Sequence, residues 1–152
     1  MTKIGVISDS HGALANVRAA SEALKECSYI LHLGDHERDA DEIGEKNGVH
    51  VIALAGNCDL FSQAPTESVF EVERVRVLGV HGHREGVKNG LLHLSLKAEQ
   101  AGARLVLFGH THIPGILTES GIIFVNPGAL RDERYAVVEI DGERVNAELK
   151  RL

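Results

Sequence analysis

At 152 residues, the chain has the size of one ordinary domain and can bury a substantial core without disulfides or structural metals. Its composition, 43% hydrophobic and 25% charged, is that of a soluble globular protein, and no repeat, low-complexity tract or linker divides it. A formal charge of -6 with scattered lysines and arginines excludes an extended nucleic-acid surface, though a small anionic substrate stays compatible with it. No apolar run approaches the roughly 18 to 20 residues of a membrane span, and the stretch after Lys3 is too short for a signal-peptide core, so the expected compartment is the cytoplasm. Cys27 and Cys58 form no C-x-x-C pair and are expected to be free thiols.

In chain order, "KIGVIS" predicts a buried strand, "ALANVRAASEALKE" an amphipathic helix and "YILHL" a second strand, which together open a βαβ pattern. "DADEIGEK" reads as a short helix and "VHVIALAG" as a third strand, so the first part of the chain is a set of parallel strands with crossover helices. After Pro65 the pattern changes: "SVFEV" and "VRVLGVHG" around Glu73 and Arg74 predict an antiparallel hairpin. A helix over Asn89 to Gln100 follows, then up to five strands in "RLVLFG", "GILTE", "GIIFVN", "YAVVEI" and "VNAELK", separated by turn signals such as "ESG" and "DGE". So many strands in one domain, residues 1–152, imply an α/β fold of two mixed β-sheets packed as a sandwich and flanked by helices.

Polar residues recur at one kind of place, the exit of an apolar strand: "ISDSHG", "LGDHE", "AGNCD", "GVHGH" and "FGHTH". Ligand sites in α/β folds gather at the carboxyl ends of strands. In an extended segment residues i and i+2 point the same way, which would let Asp9 and His11, and likewise His110 and His112, each offer two ligands to one point. Asp, His and Asn are donors to divalent metals, and the adjoining glycines let backbones approach closely. Two buried carboxylates beside four histidines would be costly without a cation. Of the other histidines, His32, His50 and His93 read as structural or surface groups, and His36 as a rim contact.

The motifs "DSH", "GD", "GNCD", "HGH" and "GHTH", in this order, resemble those of the calcineurin-like metallophosphoesterases, and the small size with "GNCD" and "NPGAL" is similar to the compact YfcE-type phosphodiesterase branch. The resemblance implies that Asp9, His11 and His112 hold one metal, that Asn57, His81 and His110 hold the other and that Asp35 bridges them. The implied cofactors are two divalent ions, Mn, Ni, Fe or Zn, which at about 3.5 to 4 Å apart activate a shared water for in-line attack on a phosphodiester and leave the centre net positive. Asn57, His81 and His110 then carry the catalytic machinery. Cys58, His83 and Arg131 are candidate substrate contacts; Arg131 suits a phosphate oxygen. "VNPGAL" is either a simple turn or a support for phosphate or ligand loop.

One departure stands out: many family members have a histidine where this chain has Cys58, and that imidazole assists the leaving group. A thiol is a poor substitute, which favours esters with good leaving groups and leaves water, His83 or Asp59 to supply the proton. A phosphomonoesterase of the same fold, and a non-catalytic protein-binding scaffold of the retromer-subunit type, are the alternatives. A homo-oligomer is compatible with the sequence.

Overall fold

A computed structural model describes residues 1–43 and 48–152. The expected sandwich is present as two mixed five-stranded sheets. The first runs in the order β10-β9-β1-β2-β3 and is built from β1 (Thr2–Ile7), β2 (Tyr29–His32), β3 (His50–Ala53), β9 (Arg134–Asp141) and β10 (Arg144–Arg151). The second runs β4-β5-β6-β8-β7 and uses β4 (Glu67–Val72), β5 (Val75–Val80), β6 (Leu105–Leu107), β7 (Gly115–Glu119) and β8 (Ile122–Asn126). The hairpin expected around Glu73 is β4–β5. The "ESG" turn joins β7 to β8 through Ser120 and Gly121, both at positive φ as a tight primed turn requires.

Alternation along the strands explains the layers. Ile4 and Val6 of β1, with Leu105 and Leu107 of β6, point into the space between the sheets and meet Leu31, Val77, Val125 and Val138 there. The opposite face of the first sheet buries Ile7 and Ile30 against Val17, Ala20 and Leu24, the apolar stripe that begins in α1 (Leu14–Ala23). Val106, Phe108 and Phe124 pack likewise against Leu94 and Ala98 of α2 (Leu92–Ala101). Strands covered on both faces must be apolar throughout, which is why "LVL" and "YIL" carry no polar alternation.

Three elements differ from the sequence reading. α1 stops at Ala23, short of the predicted Glu26, and α2 starts at Leu92 because Gly90, at φ 123°, breaks the helix expected from Asn89. The segment read as a helix in "DADEIGEK" is a 3-10 helix over Glu37–Glu42, and the rest of that prediction, 44–46, lies outside the described residues. None of the helices is long and apolar enough to cross a membrane, among the described residues.

In each sheet three adjacent strands run parallel, β1, β2 and β3 in one and β5, β6 and β8 in the other. Their registers end level: Ile7 lies beside His32, and His32 beside Ala53. The carboxyl ends of all six strands therefore open on a single edge of the sandwich, and the loops that leave them carry the polar motifs.

Candidate metal centre

Asp9, His11, Asp35 and His112 bring one ligand atom each to within 4.8 Å of one another, and Asp35, His81 and His110 form a second such group. Asp35 belongs to both. Asn57 adjoins the second group, its side-chain oxygen 3.1 Å from His81 Nε2. All seven residues singled out as ligands thus stand at one site, divided between two groups.

The local geometry that achieves this is not the extended one expected. Asp9, His11, Asp35, His110 and His112 all have positive φ, between 47° and 71°. For a non-glycine residue this costs about 1 kcal/mol or more and persists only where the surroundings over-determine it. Left-handed turns, rather than the two-residue repeat of a strand, aim Asp9 and His11 at a common point. The same turns separate His110 from His112, which serve different groups and do not converge on one point as the extended reading implied.

Each carboxylate has one oxygen held and one free. Asp9 Oδ2 accepts from the Ser8 hydroxyl (2.6 Å) and the His110 amide (3.2 Å), while Oδ1 is buried with no hydrogen-bond donor. Asp35 Oδ1 accepts from the Cys58 amide (2.9 Å), while Oδ2 lies 3.4 Å from His81 Nε2 and 3.7 Å from His11 Nε2. His81 is fixed in the complementary way: its Nδ1–H donates to the Leu33 carbonyl (2.9 Å), which leaves the Nε2 lone pair facing Asn57 Oδ1, Asp35 Oδ2 and, at 3.2 Å, His110 Nδ1. His11 Nε2 is also buried without a partner. So many converging acceptors would cost several kcal/mol if left unpaired, a cost that bound metal would relieve. The donor set of imidazole nitrogen, carboxylate oxygen and one amide oxygen suits Mn, Fe, Ni or Zn.

Protonation follows the same fields. Burial raises the Asp35 carboxyl, but when the His81 ring is protonated its Nε2–H, together with the Cys58 amide, overrides this and holds Asp35 well below the usual carboxylate range. Burial lowers His81, yet Asp35 and the charge of Asp9 more than reverse this, so its pKa is raised. His110 and His83 are both lowered, chiefly by burial and then by the charge of His81, with Lys88 adding to the effect at His110. The Cys58 thiol is pushed up by partial burial and by Asp35, and stays protonated at neutral pH.

Several groups hold the loops in place. Asp59 accepts from four backbone amides: Gly56 and Asp35 on one oxygen (2.8 and 2.9 Å), His36 and Glu37 on the other (2.7 and 3.0 Å). A proton-donating role for Asp59 is therefore corrected, because both oxygens are already committed as acceptors. Gly56 is required beside it, since a Cβ there would overlap the Asp35 carboxylate and amide. His32 is fully buried: its Nδ1 accepts from the Gly34 amide (3.1 Å), and its Nε2–H donates to Ser10 Oγ (2.7 Å). The Ser10 hydroxyl in turn donates to Asp39 Oδ2 (2.7 Å), which also accepts from the Gly12 amide (2.9 Å). The His36 ring contacts the other oxygen of Asp39 at 2.9 Å, so His36 supports a loop besides edging the site.

Asn126 of "VNPGAL" donates to the Gly109 carbonyl (3.3 Å) and to Thr111 Oγ1 (2.9 Å), and so buttresses the turn that carries His110 and His112. Of the substrate candidates, the His83 ring stands 5.3 Å from that of His81 with a buried, unpartnered Nδ1. Arg131 reaches to 3.5 Å from His112 Nδ1 at the rim, and Cys58 is exposed at the mouth. The sequence reading gave His32 as a structural or surface group, and it is a buried structural one, but it passed over its partners Ser10 and Asp39. Their only signal is a polar residue beside a motif, which is what a solvated loop also shows.

The chain belongs to the calcineurin-like phosphoesterase superfamily, whose domain model matches residues 2–143. It is 31% identical over 147 residues to the probable metallophosphoesterase YsnB of Bacillus subtilis, covering 91% of this chain and 84% of that protein. It is 26% identical to a phosphodiesterase, MJ0936, of Methanocaldococcus jannaschii, over 83% of this chain and 82% of that one. Among solved structures, a conserved uncharacterized protein of Streptococcus pneumoniae, described as a predicted phosphoesterase, superposes with a TM-score of 0.84 at 29% identity, covering 99% and 89% of the two chains. Zinc-complexed Vps29 of Entamoeba histolytica shares the fold at a TM-score of 0.79 and 18% identity, over 99% and 98% of the chains.

Proposed function

We propose that this metallophosphoesterase hydrolyses phosphodiester bonds at a centre for two divalent ions, one held by Asp9, His11, Asp35 and His112 and the other by Asp35, Asn57, His81 and His110. The observation that supports it most is the sharing of Asp35 by both donor groups, with its free oxygen turned to the common centre. When bound, the ions supply Lewis acidity toward phosphoryl oxygens and a solvent nucleophile at neutral pH. The chain's own part is preorganisation: Leu33 fixes the His81 tautomer, Ser8 and the Cys58 amide orient the carboxylates, and strained turns hold the imidazoles before substrate arrives. Arg131 and His83 flank the centre and can meet phosphate oxygens. The cytoplasmic assignment belongs to the same reading, with two unpaired thiols that fit a reducing compartment.

The relative named a phosphodiesterase favours the diester over the monoester. The complete donor set favours catalysis over a scaffold role, which would leave the strained turns and unpaired carboxylate oxygens without a use. The test is hydrolysis of a chromogenic diester and the matching monoester by protein of measured metal content. A metal-dependent rate on the diester that exceeds the monoester rate is expected, and absence of both activities from fully loaded protein would refute the proposal.

A further inference from the structure

Beside the centre lies an open cavity of about 610 Å³, within the range of small-molecule sites. Phe108 and Phe124 form its floor, and Ile113, Ile116 and Leu117 its walls. It shares a wall with the centre, because Thr111, which lines it, sits between His110 and His112. Lys88 stands at its edge, near enough for its charge to be felt at His110. A phosphoryl group alone would fill little of this volume.

Most of its side-chain polar groups are already used. Asn126 spends its amide hydrogens on Gly109 and Thr111, and its oxygen accepts from the Gly128 amide (2.9 Å). Thr111 Oγ1 accepts from Asn126 and from the Ile113 amide (3.2 Å). That leaves the Lys88 ammonium and the Thr111 hydroxyl hydrogen as the uncommitted side-chain donors among the residues lining the cavity, and no carboxylate lines it. Such a lining has little with which to read a sugar or a base edge, and it would desolvate their hydroxyls and amides without repayment. An aromatic or branched aliphatic group loses nothing on entry, and the ammonium at the edge complements the anionic phosphoryl group that precedes it.

We propose that this cavity receives one ester group of the substrate and selects phosphoesters of apolar alcohols or phenols over sugar or nucleoside esters. The proposal rests on the phosphoesterase reading of the adjacent centre. Ile113 is 70% and Leu117 48% exposed, so either can be changed without opening the core.

The test measures binding by calorimetry to metal-loaded protein, using two monoanionic phosphonates with unreactive P–C bonds: monomethyl 2-naphthylphosphonate and monomethyl methylphosphonate. Burial of the naphthyl surface predicts binding at least about tenfold tighter than that of the methyl probe. Ile113→Ser and Leu117→Ser should each reduce that ratio by about threefold, and the naphthyl protons should show contacts to the Ile113 and Ile116 methyls by NMR. If the methyl probe binds in a metal-dependent manner and the naphthyl probe binds no tighter, or if neither variant moves the ratio, the cavity assignment falls while the centre stands. If neither probe binds the loaded protein, both readings fall together.

Discussion

Asp59 Oδ2 accepts the backbone amide hydrogen of Asp35 at 2.9 Å, so the carboxylate that ends one motif holds the carboxylate shared by both ligand groups. The same side chain takes three further amides, from Gly56, His36 and Glu37, and ties two loops into one rigid unit. Asp59→Asn replaces one acceptor oxygen with an NH₂ that faces amide donors, and should lower metal affinity about 10- to 100-fold with the fold retained. Metal titration of the folded variant checks this. An affinity equal to wild type would show that the loops hold Asp35 without help from Asp59.

Gly56 should be equally intolerant for a steric reason. A Cβ there meets the Asp35 carboxylate and its amide, neither of which can move without giving up its hydrogen bond, the carboxylate to the Cys58 amide and the amide to Asp59. Gly56→Ala is expected to lose bound metal while Gly115→Ala, whose Cβ would enter open space, keeps it. Metal analysis after desalting compares the two.

Metal removal should be visible in stability as well as in turnover. Asp9 Oδ1 and His11 Nε2 are buried without partners, so bound divalent ions relieve a penalty that the chelated protein carries. The melting temperature should rise with added Mn or Ni, and a chelator should abolish diester hydrolysis that the same ions restore. Asp35→Asn should diminish both effects more than His83→Ala. A melting temperature indifferent to metal would argue against the centre.

The fold was legible because burial forces composition. Strands covered on both faces read as apolar runs, and polar residues at their exits mark the loops of the site. The ligand residues were legible as types in order. Their conformation was not: left-handed backbone at Asp9, His11, His110 and His112 is imposed by neighbouring strands and hydrogen bonds, and carries no signature in the residues themselves. Asp39 and Asp59 were obscure for a related reason, since a carboxylate among polar neighbours looks solvated until its donors are seen, four amides at Asp59 and the Ser10 hydroxyl, Gly12 amide and His36 ring at Asp39.

His32 makes the chelated protein acid-sensitive. Burial pushes its pKa down to about 4, against the partial opposing effect of Asp39 and Asp59. Between that value and the ordinary 6.5 the unfolded chain binds a proton that the folded one refuses, so stability is full above about pH 6.5 and falls as pH drops toward 4. The loss at the lower end is about 3 kcal/mol for this group, and the lowered His83 and His110 act in the same direction. Urea unfolding in chelator from pH 7 to 4.5 measures it. His32→Gln, which does not titrate, should flatten part of that slope, and an unchanged slope would assign the sensitivity to other groups.

Cys58 is placed to reveal what limits catalysis. Its backbone amide already supports Asp35, and its thiol is exposed at the mouth of the site with a raised pKa. A thiol that holds its proton this firmly is a weak general acid for a departing alkoxide, and Asp59, the carboxylate next to it, is committed to four amides. Cys58→His keeps the amide and adds an imidazole at an exposed position beside the centre. Turnover should rise for esters with poor leaving groups, because those need protonation most in the transition state, and change little for nitrophenyl esters. General acid catalysis contributes about 10² to 10⁴-fold in evolved sites, and a grafted ring without its own supporting hydrogen bonds should recover only a small part of that. The measurement is log rate against leaving-group pKa for both proteins at matched metal content. The dependence should be shallower in the variant. An identical slope would mean that the proton already comes from His83 or water, or that residue 58 faces away from the departing oxygen.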